Sequence, residues 1–200
     1  MTEKPDLAAL LGSRICHDLI SPIGAISNGL ELLMMDGASG SSPELALISD
    51  SIANANARIR FFRVAFGATG GGDARIGRAE VTSILRDLTR GGRVLIHWET
   101  PLDLSRREVK LAFLSVLCLE SAMPQGGTVH AERGEARWTL RSEAPRLRIE
   151  PDLWEVLSNP AAQIELGPTQ VHFALLREEL GRQHRRLTVD IRDGEVRLSF

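Results

Sequence analysis

Two cysteines stand in 200 residues, Cys16 and Cys118, and neither belongs to a C-x-x-C pair. A disulfide framework and a structural zinc site are therefore not expected. No stretch is long and apolar enough to span a bilayer. Met1 to Asp6 lacks the apolar core of a signal peptide. Concentrated basic charge is missing too: the net charge is −2, and the short run from Arg182 to Arg186 reads as a solvated helix end. That excludes the usual footprint of a nucleic-acid partner. P-loop, G-x-G-x-x-G and G-x-S-x-G patterns are absent. His97, His130, His172 and His184 are isolated from one another and from cysteine, so no metal site is expected. His97, Trp98 and His130 read as strand residues of a core or edge, and Trp138 and Trp154 as packing. These absences describe a soluble, cytoplasmic protein with no direct nucleic-acid or membrane partner.

What is present is the composition of a globular chain, 43% hydrophobic and 25% charged. Two long amphipathic helices come first. Leu11, Ile15, Leu19, Pro22, Ile26, Leu30 and Leu33 recur at spacings of three and four between about Leu7 and Met35. Asp36 to Pro43 reads as a turn. Ser42 then caps a second helix with Pro43 in its first turn, and Ser41 with Glu44 has capping-box spacing. Its stripe is Leu45, Ile48, Ile52, Ala55, Ile59, Phe62 and Phe66. A short loop between long helices makes them antiparallel neighbours. One hairpin buries such stripes poorly, and pairing with a second copy gives a four-helix bundle.

Gly70, Gly71 and Gly72 mark a flexible hinge within residues 69–78. Residues 1–68 are thus expected as a helical hairpin and residues 79–200 as a separate domain. The latter reads as a helix at Val81 to Leu88, a strand at Arg93 to Trp98, and a long helix at Leu104 to Met123. Strands follow at Thr128 to Glu132, Ala136 to Arg141 and Leu147 to Ile149. Helices are expected at Asp152 to Leu157 and Thr169 to Leu180. Asp193-Gly194 joins a final hairpin of Arg186 to Ile191 and Glu195 to Phe200. The fold class is α plus α/β, with helices on one face of a largely antiparallel sheet.

The informative residue is His17. Each helical step turns about 100°, which puts His17 nearly opposite the centre of the first stripe. Ser13, Arg14, Ser21, Gly24, Asn28 and Glu31 lie beside it, and Leu10 offers an apolar contact on the same side. Small and polar neighbours leave room for another protein to approach. Pro22 inside the helix removes a hydrogen bond and costs about 3 kcal/mol relative to alanine. Its kink one turn past His17 marks a positioned site. A neutral imidazole nitrogen is nucleophilic near neutral pH. Asp18 is placed to hold the other nitrogen's proton, and Ser21 to orient a water or a phosphoryl oxygen.

The string HDLISPI at His17 to Ile23 resembles the H-box of sensor histidine kinases. The longer string HDLISPIGAISNGLELL, His17 to Leu33, is closer still to the alphaproteobacterial histidine phosphotransferase family called ChpT. The resemblance implies a homodimeric four-helix bundle followed by a degenerate histidine-kinase ATPase-like α/β sandwich. It implies His17 as phosphoacceptor, Asp18 as its acidic partner and Ser21 as an assisting hydroxyl. It also implies exchange of the phosphoryl group between the receiver domain of a hybrid histidine kinase and response regulators. Leu10, Ser13, Arg14, Gly24 and Asn28 are the expected partner-binding residues. Mg²⁺ comes with the partner receiver, and no intrinsic cofactor is expected.

Three elements of a working kinase domain are missing. The helix Leu104 to Met123 carries a trailing Pro124-Gln125-Gly126-Gly127 turn but no Asn. Asp152, Asp190 and Asp193 begin no Asp-x-Gly-x-Gly loop, and Gly167-Pro168-Thr169-Gln170 keeps one glycine where a lid needs several amides. Two alternatives stand beside the phosphotransferase reading: an autophosphorylating kinase with a divergent pocket, and a non-catalytic dimer that sequesters response regulators.

Overall fold

The structure, a computed structural model, describes residues 6–36, 43–69, 74–101, 103–159, 161–162 and 165–200. Helices α1 (Leu7–Asp36) and α2 (Pro43–Ala65) form the expected hairpin. Asp6 opens α1 by accepting from the backbone N–H groups of Ala8 and Ala9, each at 3.1 Å. The helices run antiparallel, since Asp18 lies beside Arg58 and Gly29 lies against Ile48. A Cβ on Gly29 would sit 2.7 Å from Cγ1 of Ile48, so glycine sets that close approach. Pro22 is buried and α1 continues through it. Lacking an N–H, it leaves the carbonyl of Asp18 without its helical donor. The Asp36 to Pro43 turn, its serine caps and Gly70 to Gly72 fall mostly or wholly outside the described residues.

Beyond the hairpin come β1 (Arg75–Gly77), α3 (Arg78–Thr89), β2 (Val94–Glu99), β3 (Asp103–Ser105), α4 (Arg106–Ser121), β4 (Gly127–Arg133) and β5 (Trp138–Glu143). Then follow α5 (Pro151–Ser158), a 3₁₀ turn (Pro168–Gln170), α6 (Val171–Arg182), β6 (Thr188–Arg192) and β7 (Glu195–Ser199). The main sheet has the order β2-β4-β5-β7-β6. Only β2 and β4 run parallel. Gly126 makes the turn into β4 at φ +95°, where a Cβ would meet the carbonyl oxygen of Arg93. Gly194 closes the last hairpin at φ +71°.

Alternation along the strands gives the sheet one buried face. Val129, Ala131, Trp138, Leu140, Val196 and Leu198 join the core formed with α3, α4 and α6. The opposite face carries His97, His130, Arg141 and Arg197 and stays open or half-open. Phe61, Phe62, Val64 and Ala65 of α2 belong to that same core, so the base of the hairpin is built into it.

Two local expectations differ. Residues 147–149 form no strand: Pro145 turns the chain, and Arg148 makes one backbone bond, to the carbonyl of Ala122 at 2.9 Å. Leu104 starts no helix. It pairs with Ile76 in a two-stranded β1–β3 sheet, and α4 begins after Ser105, whose Oγ accepts from the N–H of Glu108 at 3.2 Å. Strands of three residues are too short to show a period of two.

Candidate functional site

His17 projects from the middle of α1 with 70% of its side chain exposed. Its Nδ1 is 3.1 Å from Oδ1 of Asp18. A carboxylate there accepts a proton-bearing nitrogen, so the favoured neutral tautomer carries its hydrogen on Nδ1. In that tautomer the ring's lone pair is on Nε2, on a side chain that is largely exposed.

Asp18 is the opposite of its neighbour, with a side chain only 9% exposed. Nε of Arg14, one turn earlier, donates to its Oδ2 at 2.7 Å. Nη1 of Arg58 on α2 stands 4.0 Å from the same oxygen. Arg58 in turn donates to Oδ1 of Asn54 at 3.1 Å. Arg14, Asp18, Asn54 and Arg58 line a cleft that Arg93 and Glu120 of the following domain complete. Nη1 of Arg14 donates to the carbonyl oxygen of Thr169 at 2.6 Å, in the 3₁₀ turn before α6.

Of the residues singled out from sequence, Ser13, Ser21, Gly24 and Asn28 share the exposed side of α1 with His17. Gly24 has nothing within 4 Å of a built Cβ. Leu10 is half-buried at the edge of that side. Arg14 is not free on it: its guanidinium is occupied by Asp18 and Thr169. Arg58, Thr169 and Glu120 were not singled out. An Arg–Asp pair at i, i+4 is readable from sequence, but the approach of residue 169 is long-range and leaves no local signal.

His172, in the first turn of α6, is 1% exposed. Neither ring nitrogen has a partner. Burial, aided by the positive charge of Arg14, pulls its pKa down to about 3, so the ring is neutral. It packs against Phe173. His97 and His130 stack across β2 and β4 on the open sheet face, with centroids 4.9 Å apart. Trp138 is fully buried between Trp98 and Phe200, and Trp154 packs on Phe173. Cys16 is exposed; Cys118 is buried, which pushes its thiol well up.

Helix α4 is buried continuously from Val109 to Leu119. Its two polar members in that span are held by protein. Lys110 donates to the carbonyl of Gly67 at 3.0 Å and lies 3.7 Å from Glu179, and Ser115 donates to the carbonyl of Leu111. Among the described residues, no group of three or more His, Cys, Asp or Glu could hold a metal ion. No helix among them is long and apolar enough to cross a membrane.

Residues 78–195 match the family described as "Histidine phosphotransferase C-terminal domain". Over 181 residues the chain is 36% identical to protein phosphotransferase ChpT of Brucella abortus (strain 2308), covering 87% of this chain and 86% of that one. A solved structure of a bacterial phosphotransferase superposes with a TM-score of 0.80 at 31% identity, covering 100% of this chain and 98% of the other.

Proposed function

The chain belongs to the histidine phosphotransferase family, and from that premise we propose that His17 is the residue through which it passes phosphoryl groups in a two-component phosphorelay. The observation that carries the assignment is the pairing of His17 and Asp18: an exposed imidazole whose Nδ1 is held at 3.1 Å by a shielded carboxylate. Nε2 of His17 attacks the phosphorus of a phospho-aspartate on a receiver domain. The N–P bond forms as the acyl phosphate P–O bond breaks, and the aspartate leaves as a carboxylate. Asp18 keeps the Nδ1 proton in place and offsets the positive charge that builds on the ring. Transfer to a response regulator runs the same steps backwards.

Residues 1–68 serve as phosphoacceptor and dimerisation unit, and residues 79–200 as a docking platform. Ser13, Gly24 and Asn28, with Leu10 at the edge, supply the surface on which the receiver of a hybrid kinase, and then a response regulator, takes its seat. Ser21 assists without accepting the group. Mg²⁺ arrives with the receiver. Asp18 is the carboxylate that reaches His17, and its engagement by two guanidiniums makes it a poor ligand for a second cation. The buried, asparagine-free α4 supports reading residues 79–200 as a kinase-like scaffold that works without ATP. The protein acts in the cytoplasm.

The test is label transfer from a phosphorylated receiver. His17→Ala should take up no acid-labile phosphate while keeping its circular dichroism. Uptake at the normal rate by a folded variant would remove the assignment and point to another acceptor residue, whereas binding of the receiver with no uptake even by the wild type would favour sequestration.

A further inference from the structure

We propose that Arg14 is a positioning residue for the phosphoacceptor, acting through Asp18, and that the second domain holds it in place through the carbonyl of Thr169. The inference deepens the proposed role of His17 and rests on it.

Three contacts run in series. Nδ1 of His17 meets Oδ1 of Asp18 at 3.1 Å. Oδ2 of the same carboxylate accepts from Nε of Arg14 at 2.7 Å. Nη1 of Arg14 then donates to the carbonyl oxygen of Thr169 at 2.6 Å, across 155 residues of sequence. The guanidinium is a rigid plane. Fixing Nη1 from one side therefore fixes the direction in which Nε presents its hydrogen to Asp18. Asp18 on its own has rotameric freedom at χ1 and χ2. Held by Arg14 at one oxygen, it keeps the other aimed at the imidazole.

The surroundings favour a support role over a direct contact with a receiver. Arg14 is 17% exposed against 70% for His17, and its Nε and Nη1 donors are already engaged. His172, buried on the α6 side, is neutral and so does not repel it. Arg58 approaches Asp18 from α2 only at 4.0 Å and is more exposed, which makes it a weaker second support. Arg14 thus makes the geometry of the nucleophile depend on both parts of the chain. A kinase-like domain without nucleotide elements then has a task in the transfer step itself: it orients His17 from behind while receivers approach from the front.

The experiment compares the full-length protein with Arg14→Gln and Arg14→Lys. Two readouts are taken. One is the imidazole ¹⁵N–¹H correlation spectrum of His17, which reports the tautomer without any receiver present. The other is transfer from a phosphorylated receiver at varied receiver concentration. A support role predicts that Arg14→Gln moves His17 from the Nδ1–H tautomer towards a mixture. It also predicts a fall in maximal transfer rate of roughly ten-fold or more, the scale seen when an outer-shell orienting group is lost. The half-saturating receiver concentration should stay nearly unchanged. Arg14→Lys keeps the charge but loses the planar fork, so it should fall between the two. An unchanged tautomer with a raised half-saturating concentration would make Arg14 a receiver contact and overturn the inference. Unchanged values in both readouts would overturn it as well. His17→Gln is run alongside. If it still accepts label, the assignment of His17 fails, whereas the tautomer readout judges Arg14 independently of that outcome.

Discussion

Phe61 of α2 and Phe113 of α4 stack face to face, with centroids 4.5 Å apart and planes within 4°. Both rings are fully buried. The contact joins the helix that faces α1 to the central helix of the second domain. Trp98 meets Phe113 edge-on at 5.9 Å, so the aromatic cluster continues to the sheet. The proposed support of His17 through Arg14 and Thr169 depends on this junction staying shut.

Phe61→Ala should therefore cost about 3–5 kcal/mol, the range for emptying a buried aromatic site. Urea unfolding followed by circular dichroism and by tryptophan fluorescence checks it. All three tryptophans lie beyond the hairpin, and a shared core predicts coincident transitions in the wild type. A hairpin signal that melts separately would contradict the shared core.

His172 gives the stability a pH dependence of known sign. Burial depresses its folded pKa to about 3 from the ordinary histidine value of 6.5. The unfolded chain therefore binds a proton between those values that the folded chain refuses. Stability from this residue is full above pH 6.5 and is lost as pH falls towards 3. From pH 7 to pH 5 the loss is about 2 kcal/mol. His172→Leu replaces an unpartnered ring with an apolar group of similar size, which should be neutral or stabilising at pH 7. It should also flatten the acid side of the stability curve by that amount. An unaltered slope in denaturation series across this range would show that the ring gains a partner on protonation.

Gly24 and Gly29 stand five residues apart on α1 and should respond in opposite ways. Gly24 faces open space, so Gly24→Ala should stabilise by about 0.5–1 kcal/mol through helix propensity. At Gly29 a Cβ must displace Ile48, which cancels that gain or reverses it. Gly24→Arg should keep the fold and the nucleophile but raise the receiver concentration needed for transfer. Thermal melts of the alanine pair and receiver titration of the arginine variant test these expectations. A Gly24→Arg protein with wild-type receiver affinity would remove Gly24 from the docking surface.

The site was legible where its logic is local. His17 opposite the first stripe, Asp18 beside it and the small residues after it all follow from helical spacing on one element. The hairpin and the Asp193-Gly194 turn were legible for the same reason. Leu30, Ile52 and Ile59 lie on the expected stripes yet remain exposed, because periodicity reports an apolar face without saying what covers it. Helical spacing puts Arg14 beside His17 but cannot give its direction, which depends on Thr169, a meeting set by tertiary packing. The β1–β3 pair was missed because three residues carry too little pattern.

Those exposed residues carry the last prediction. On α1, Ile20 at 68% exposure is followed by Ile23 and Leu30, the latter two seven residues apart. Leu45, Ile52 and Ile59 recur every seven residues on α2. A seven-residue repeat keeps one face of a helix towards a partner helix. Exposed leucines and isoleucines recurring on two neighbouring helices form an apolar patch of the kind that a partner surface covers. Pairing of two hairpins into a four-helix bundle would cover them. We expect light scattering to give twice the chain mass of 21.9 kDa. Ile23→Glu combined with Ile52→Lys should yield monomers, because each charge would be buried in the bundle but solvated on a single hairpin. Since both side chains are exposed in one chain, the monomeric fold should lose only about 0.5 kcal/mol or less. A melting temperature that rises with concentration in the wild type and not in the double variant would support the bundle. A wild-type protein at single-chain mass across the micromolar range would rule it out.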